Sequence, residues 1–309
     1  MKQTIDICIF APTFNRRHTL ERAFESLMAQ SCKDFEWLII DDGSTDGTRD
    51  LVELFKRQAD FPIRYFWKEN GGRHTAVNYS YSILRSKYVV TLDSDDELLP
   101  TGIETLLNIW KSIPESDYER FWCVSARDVD SSTGEIVGDL YPVGVNQLSG
   151  KNQRKIYLKC CGEKHCCRKV SVLKQYPFPV YNDVKFVSED MVWEQINRQY
   201  DVFCVNDAVG IYHRDSPDSL STGSHHYKTF YYASLFYVNE IYDEFFFNRT
   251  VRRYTVNLSR VAILTRTSYS EVMRSINAFY KKVLVTLGYP ISLAWVAMHP
   301  DRMKYSTER

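Results

Sequence analysis

Val89-Val90-Thr91-Leu92-Asp93-Ser94-Asp95-Asp96-Glu97-Leu98-Leu99-Pro100 is the stretch whose reading decides the fold. A β-branched run ends in an acidic cluster, and Pro100 then opens a helix. Such a run reads as a buried strand that delivers side chains to a sheet edge. In open α/β sheets, ligands bind beyond the carboxyl ends of the strands. Carboxylates crowded at that edge repel one another unless a cation or partner neutralises them. Asp93 and Asp95 are two apart, so an extended backbone points both to one side, where they can share a hard divalent ion. The competing reading is a helix-capping loop, because Asp is favoured before a helix.

Working outward, the same alternation recurs on the N-terminal side. Ile5 to Ala11 is a mostly apolar run broken by Pro12-Thr13-Phe14-Asn15-Arg16. A helix with Leu20, Phe24, Leu27 and Met28 at helical spacing follows. The run Phe35 to Ile40 ends in Asp41-Asp42-Gly43-Ser44-Thr45-Asp46-Gly47-Thr48, a turn that also caps a helix. Pro62 to Trp67 is a third strand, and Asn70-Gly71-Gly72 turns into a helix carrying Ala76, Val77 and Ile83. Strand and helix therefore alternate four times with short connections, which predicts a parallel sheet flanked by helices. Neither a GxGxxG nor a GxxxxGK[ST] pattern occurs, so dinucleotide-fingerprint and P-loop chemistry are not supported.

Beyond about residue 112 the rhythm changes. Phe121 to Asp128 and Glu135 to Leu140 read as strands around a Ser131-Ser132-Thr133-Gly134 turn, and Lys151 to Cys161 as helical. Ser188-Glu189-Asp190 opens a helix. Val202 to Val205 and Gly210 to Arg214 read as two strands, and Asp215 to His226 as a polar loop. Tyr227 to Phe247 is aromatic and helical. Val272, Ile276, Phe279, Tyr280, Val283, Leu284 and Leu287 are expected to form one helical stripe.

The 309 residues suffice for one large domain or two ordinary ones, and 44% hydrophobic against 25% charged residues is a globular composition. The formal net charge is zero, yet 249–309 carries eleven basic and three acidic residues, a net +8. A basic, aromatic, helical tail suggests either contact with an anionic membrane surface or a helical cap with a solvated basic face. The N-terminus lacks the apolar core of a signal peptide, so a cytoplasmic location with reduced thiols is expected, with peripheral contact on the inner face of the membrane as an option. Cys160, Cys161, Cys166 and Cys167 bracket His165, but adjacent cysteines lack the two-residue gap of a zinc site.

Pro12 to Arg16, Asp41 to Asp46, Asn70-Gly71-Gly72 with Ala76 and Asn78, Leu92 to Asp96 and Ser188 to Asp190 stand in the order found in family 2 glycosyltransferases. Over roughly 5–221 the chain resembles bacterial members that build cell-surface polysaccharide. The resemblance implies a GT-A fold: an α/β, mostly parallel sheet flanked by helices, here with a C-terminal helical extension. It implies a transferase domain over 1–224, split into a nucleotide-binding half (1–112) and an acceptor-binding half (113–224), with the extension over 225–309. It implies inverting transfer of a hexosyl or N-acetylhexosaminyl group from a nucleotide sugar to a glycan or lipid-linked acceptor.

Carried over by position, Thr13 and Arg16 would lie against the nucleotide. Asp42 or its neighbour Asp41 would accept a hydrogen bond from the base, typically uracil, whose imide N–H suits an acceptor-only carboxylate. Arg73 would lie near the base and diphosphate. Asp93, with Ser94, would hold the ribose or the metal, and Asp95 the metal, Mn²⁺ or Mg²⁺. His213 would be a third metal or diphosphate contact. Arg214, Ser219 and Ser221 would lie in a loop over the diphosphate. Asp190 would be the general base, with Glu189 its substitute. Two other readings compete. A sugar-nucleotide pyrophosphorylase would carry a glycine-rich basic loop where Pro12 to Arg16 stands. A non-catalytic binding module would have lost Asp93, Asp95 or Asp190.

Overall fold

The computed structural model describes residues 5–148, 160, 162–182, 184–214, 227–241 and 249–299. Two compact units emerge, Met1–Pro179 with Val192–Ser219, and Val180–Met191 with Leu220–Arg309. The Asp215 to His226 loop, and nearly all of Lys151 to Cys161, lie outside the described residues.

The first unit begins with the alternation expected: β1 (Ile7–Thr13), α1 (Arg17–Met28), β2 (Phe35–Asp41), α2 (Thr48–Gln58), β3 (Ile63–Trp67), α3 (Arg73–Ile83) and β4 (Tyr88–Thr91). These strands pair in parallel in the order β3-β2-β1-β4. β2 is buried along its whole length, which fits its mostly apolar sequence, and its buried Glu36 is paired with Arg64 at 3.1 Å. Phe24 of α1 stacks on Phe55 of α2 with centroids 4.1 Å apart, and both pack near the fully buried Trp37. Burying rings of this size stabilises by about 1.5–3 kcal/mol each.

After β5 (Glu97–Leu98), α4 (Gly102–Ser112) and the single turn α5 (Glu115–Tyr118), the sheet becomes mixed. β6 (Phe121–Asp130), β7 (Gln147–Leu148), β8 (Lys164–Lys169) and β9 (Asp201–Tyr212) complete nine strands among the described residues. β8 lies between β4 and β6, antiparallel to both. β9 is one strand where the sequence suggested two. It runs parallel to β6 with register shifts, and Asn206 in its middle bonds the backbone of Tyr141 at 2.8 and 3.0 Å. The expected strand over Glu135 to Leu140 reduces to a single bridge between Val129 and Ile136. Two short helices, α6 (Val170–Leu173) and α7 (Asp190–Ile196), precede β9. The division between the units falls within α7.

The second unit is helical. α8 (Tyr227–Phe236) runs into a π-helical turn (Tyr237–Ile241), followed by α9 (Arg249–Leu264), α10 (Tyr269–Ser275) and α11 (Phe279–Met298). Small residues let α9 and α11 approach closely: Ser259 Oγ donates to Val285 O at 3.2 Å, and Ser292 Oγ to Val256 O at 3.1 Å. The single stripe expected over Val272 to Leu287 is instead broken after Ser275. Asn239 takes over there, its side chain donating to Ser275 O at 2.9 Å and accepting from Asn277 N at 3.1 Å. Val272 and Ile276 are buried, but Phe279 and Leu287 are 82% and 67% exposed.

Candidate active site

The parallel strands bring their carboxyl ends to one edge. Register places Thr13 beside Asp41 and Asp41 beside Trp67, while Asp93 lies just past β4. The strand order reverses between β1 and β4, the place where such sheets open a crevice for a ligand. Thr13 is 3% exposed and its hydroxyl has no hydrogen-bond partner among the described residues. A buried hydroxyl left unpaired costs free energy that a bound polar group would recover.

The Asp41 to Thr48 turn is clasped to the end of β1. Asn15, at φ 52°, donates its amide to Ser44 Oγ at 2.8 Å and accepts from Thr45 N at 2.9 Å. Burial opposes the charge of Asp46, but the Thr48 hydroxyl, donating at 2.6 Å, and then the amides of Arg17 and Thr48 hold its carboxyl below the usual range. Gly43, at φ 96°, lies so close to Asn70 that a Cβ would meet the Asn70 amide nitrogen at 2.9 Å. Arg16 sits at the N-cap of α1 and is partly exposed.

Asp41 and Asp42 are both buried but differ in what they still offer. Asp42 accepts from Lys68 Nζ, Asn70 Nδ2, Gly71 N and Gly72 N, so all four of its acceptor positions are used. Among the described residues Asp41 accepts only from Ser44 N at 2.7 Å and from the Tyr65 hydroxyl at 2.6 Å. Burial, together with that bond, pushes the Tyr65 phenol well above its ordinary value. The sequence reading missed Tyr65 and Lys68. The rule applied to the ends of β1, β2 and β4 would have flagged Lys68 just past β3.

The acidic stretch is more open. Arg73 Nη2 meets Asp93 Oδ1 at 2.7 Å, and the Asp93 side chain is 48% exposed. The surrounding protein opposes its charge, but the Arg73 guanidinium prevails and holds the carboxyl below the usual range. Arg22, also unforeseen, donates to the Asp95 backbone carbonyl at 2.9 Å. Ser94 is buried. Asp96 accepts from His213 N at 3.0 Å; burial, with the charges of Asp93 and Asp95, pushes it up to about 8. The pairing of β5 with β9 carries His213 back onto this stretch, its Nε2 2.6 Å from Glu97 Oε1. Arg214 bonds Asp130 at 3.0 Å at the end of β6. Ser219 and Ser221 lie outside the described residues.

Among the described residues no three His, Cys, Asp or Glu side chains form a metal cage. The donors do fit Mg²⁺ or Mn²⁺ in another way. Such ions are held by one or two carboxylates plus substrate phosphates, and Asp93 and Asp95 offer hard oxygens at an accessible edge. The cysteines point elsewhere: Cys167 accepts from Trp110 Nε1 at 3.2 Å, Cys166 lies by Ser125, and Cys160 donates to Leu140 O. The described cysteines are free thiols.

Glu189 and Asp190 belong to the second unit. Asp190 is the exposed first residue of α7, and Glu189 is half-buried. Their segment is held within that unit by Thr229 Oγ1, which donates to Phe186 O at 2.9 Å, and by Tyr181 stacked on Tyr232 at 3.8 Å.

The family model described as "Glycosyl transferase family 2" matches residues 8–176, more than half the chain. A Campylobacter jejuni protein named GalNAc(5)-diNAcBac-PP-undecaprenol beta-1,3-glucosyltransferase is 26% identical over 221 residues, 71% of this chain and 68% of its own. An uncharacterized glycosyltransferase of Rickettsia felis is 41% identical over 101 residues, 33% of this chain and 16% of its own. A Mycoplasma pneumoniae relative, also an uncharacterized glycosyltransferase, is matched over 38% of its length. Over most of its length the chain superposes on S. aureus TarS 1-349 in complex with UDP-GlcNAc, with TM-score 0.56, 14% identity and coverage of 95% of this chain and 92% of that one. It also superposes on the mannosyltransferase PcManGT of Pyrobaculum calidifontis in complex with GDP-Man and Mn²⁺, with TM-score 0.53, 14% identity and coverage of 99% and 86%. These likenesses establish the GT-A fold, and the family match establishes the rest: the chain belongs to glycosyl transferase family 2.

Proposed function

We propose that this chain is an inverting, metal-dependent glycosyltransferase that moves a sugar from a UDP-sugar to a hydroxyl of a glycan or lipid-linked acceptor. The observation that carries the reading is the sheet edge where the unpaired Thr13 hydroxyl, the half-satisfied Asp41 and the open Asp93 and Asp95 converge. Thr13 and Arg16 line the nucleotide. Asp41, with acceptor positions to spare, takes the uracil imide N–H. Arg73 lies between Asp93 and the diphosphate, ready to exchange one anion for the other. Asp93 and Asp95 hold the divalent ion, with His213 beside them and Ser94 fixing the turn. When bound, that ion supplies Lewis-acid stabilisation of the diphosphate leaving group. Arg214, with Ser219 and Ser221, covers the diphosphate.

Asp190 takes the acceptor hydroxyl's proton as the oxygen attacks the anomeric carbon. The new C–O bond forms on the face opposite the leaving group, whose bond breaks with the electron pair departing on UDP. One base and no covalent intermediate suffice, and Glu189 supports the base. Relatives support the choice of donor and acceptor: TarS 1-349 is described with UDP-GlcNAc and with UDP, and the Campylobacter jejuni enzyme is named for an undecaprenol-linked acceptor.

An anionic membrane surface is the second partner of this reading. No helix among the described residues is long and apolar enough to cross a membrane. α11 exposes Phe279, Tyr280, Val283, Leu287, Ile291 and Met298, keeps Lys282 partly exposed and has no acidic residue, which suits a helix lying at a lipid interface.

The test is a thermal-shift panel of UDP, GDP, CDP and dTDP, each with and without Mn²⁺. A ligand that binds only the native state at 100 times its Kd stabilises it by about 2.7 kcal/mol. The expected result is a UDP shift that requires the metal. A shift with another nucleotide would discard the uracil contact. No shift with any would favour a non-catalytic module.

A further inference from the structure

The second unit encloses a cavity of about 470 Å³ that the donor-side chemistry does not use. Five aromatic side chains line it: Phe186, Phe230, Tyr237, Tyr254 and Trp295. They are held by one another and by their neighbours. The Tyr237 and Tyr254 rings stack at 4.1 Å and 2°, and the Arg260 guanidinium lies 4.0 Å from the Trp295 ring centre. Asp190, Asn257 and Arg260, with the hydroxyl residues Ser188, Thr229 and Ser234, add the polar lining. Asn257 and Arg260 are three residues apart on α9, so they share one face of that helix. The Asp190-bearing segment is fixed to α8 through the Thr229–Phe186 bond.

Sites that take small molecules have volumes of about 300–1,000 Å³, mostly apolar walls and a few convergent polar groups. The polar groups here decide between occupants. An alkyl chain would strip water from a carboxylate, an amide and a guanidinium and return nothing for it. A pyranose has a C–H face that lies flat on an aromatic ring and hydroxyls that both donate and accept. Asp190 is acceptor-only, Arg260 donor-only, and Asn257 both, so the three match a ring of vicinal hydroxyls.

A group that removes a proton must touch the hydroxyl that carries it. Resting on the assignment of Asp190 as the base, we infer that this cavity is the acceptor-saccharide site: it holds the terminal pyranose of the acceptor against the exposed ring of Phe230, since Trp295 is already stacked by Arg260 and His299, with the reacting hydroxyl on Asp190 and its neighbours on Asn257 and Arg260. Acceptor choice is then written in the helical unit, in residues 254–260 and 295.

The experiment uses the full chain and a panel of methyl hexopyranosides and methyl N-acetylhexosaminides as probes, read by saturation-transfer NMR, with n-octanol as the alkyl control. Ala233→Trp fills the cavity from α8, and Asn257→Ala removes one polar contact without adding bulk. Far-ultraviolet circular dichroism and thermal unfolding of the full chain serve as the folding control for both. The expected result is that at least one pyranoside receives saturation from the wild type, and that its affinity falls about tenfold in either variant. No pyranoside signal from the wild type overturns the inference. So does an undiminished signal in both folded variants, or displacement of the sugar by octanol at equal concentration. If Asp190→Asn still transfers sugar while Ala233→Trp loses the pyranoside, the base assignment fails and the saccharide site stands. If Asp190→Asn is inactive while both cavity variants bind normally, the cavity assignment alone fails.

Discussion

Asp42→Asn separates a carboxylate that builds the site from one that binds a ligand. Asp42 is 3% exposed, is paired with Lys68, and accepts from the backbone amides of Gly71 and Gly72 at 3.0 and 2.7 Å. An asparagine of the same shape offers one accepting oxygen. Its NH₂ must face either Lys68 and Gly71 N or Gly72 N, so donor meets donor whichever way it is turned. Hydrogen bonds to a charged group are worth about 1.5–3 kcal/mol each, and leaving one member of a buried pair unmatched costs about 3–5 kcal/mol. The expected loss is therefore about 3–5 kcal/mol. At roughly 2–4 °C per kcal/mol for a chain of this size or somewhat smaller, Tm should fall by about 6–20 °C. The assay is thermal unfolding followed by circular dichroism, with Asp93→Asn as the comparison. Asp93 is half exposed, so its loss should leave Tm within about 2 °C, since exposed pairs contribute about 0–1 kcal/mol. An Asp42→Asn protein with wild-type Tm that no longer responds to UDP would refute the reasoning and make Asp42 the ligand contact.

Three further outcomes are expected. Asp95→Asn should fold normally but lose the Mn²⁺-dependent part of the UDP shift; a folded variant with wild-type metal response would sink the metal assignment. His165 is buried, 2.9 Å from Asp128, and although burial opposes its charge the carboxylate raises its pKa. A raised pKa means the pair's stabilisation is full below the unfolded value of about 6.5 and is lost as pH climbs through the folded one. Urea unfolding of wild type and His165→Gln should therefore differ more at pH 6 than at pH 9, and an equal difference at both would refute it. Leu287→Glu with Ile291→Glu should reduce co-sedimentation with anionic phospholipid vesicles while leaving the metal-dependent UDP shift intact; unchanged sedimentation would assign the exposed face of α11 to something other than lipid.

The parallel half of the sheet was legible because each strand there is a short, mostly apolar run ended by a polar or turn-forming stretch, Pro12-Thr13, Asp41-Asp42-Gly43, Lys68 to Gly72 and Asp93, and local chemistry alone sets those stops. Thr13, Asp41 and Asp93 could be placed at one edge for the same reason. β8 was harder. Lys164-His165-Cys166-Cys167-Arg168-Lys169 is a central strand with a polar sequence, and its burial depends on distant partners: Asp128 for His165, and Tyr118 O for Lys169 at 2.6 Å. The break between α10 and α11 was invisible because Asn239, more than thirty residues upstream, captures the helix end. The division of labour between Asp41 and Asp42 was equally hidden. Adjacent identical residues differ only in who reaches them, and Lys68, Asn70, Gly71 and Gly72 are brought in by the fold.

The interleaving of the two units bears on how acceptor preference can be exchanged between relatives. Val180–Met191 is contributed from between strands of the first unit, yet it packs with the helices after Leu220. A chimera cut once near residue 220 would import a foreign set of helices around a resident Asp190, with Phe186 and Tyr181 facing partners they did not evolve with. A graft that takes 180–191 together with everything from 220 onward moves the segment and its clamps, Thr229 and Tyr232, as one piece. Three joints inside the chain, before 180, after 191 and before 220, rather than a single one, are what an exchange needs to keep this segment with the helices that clamp it.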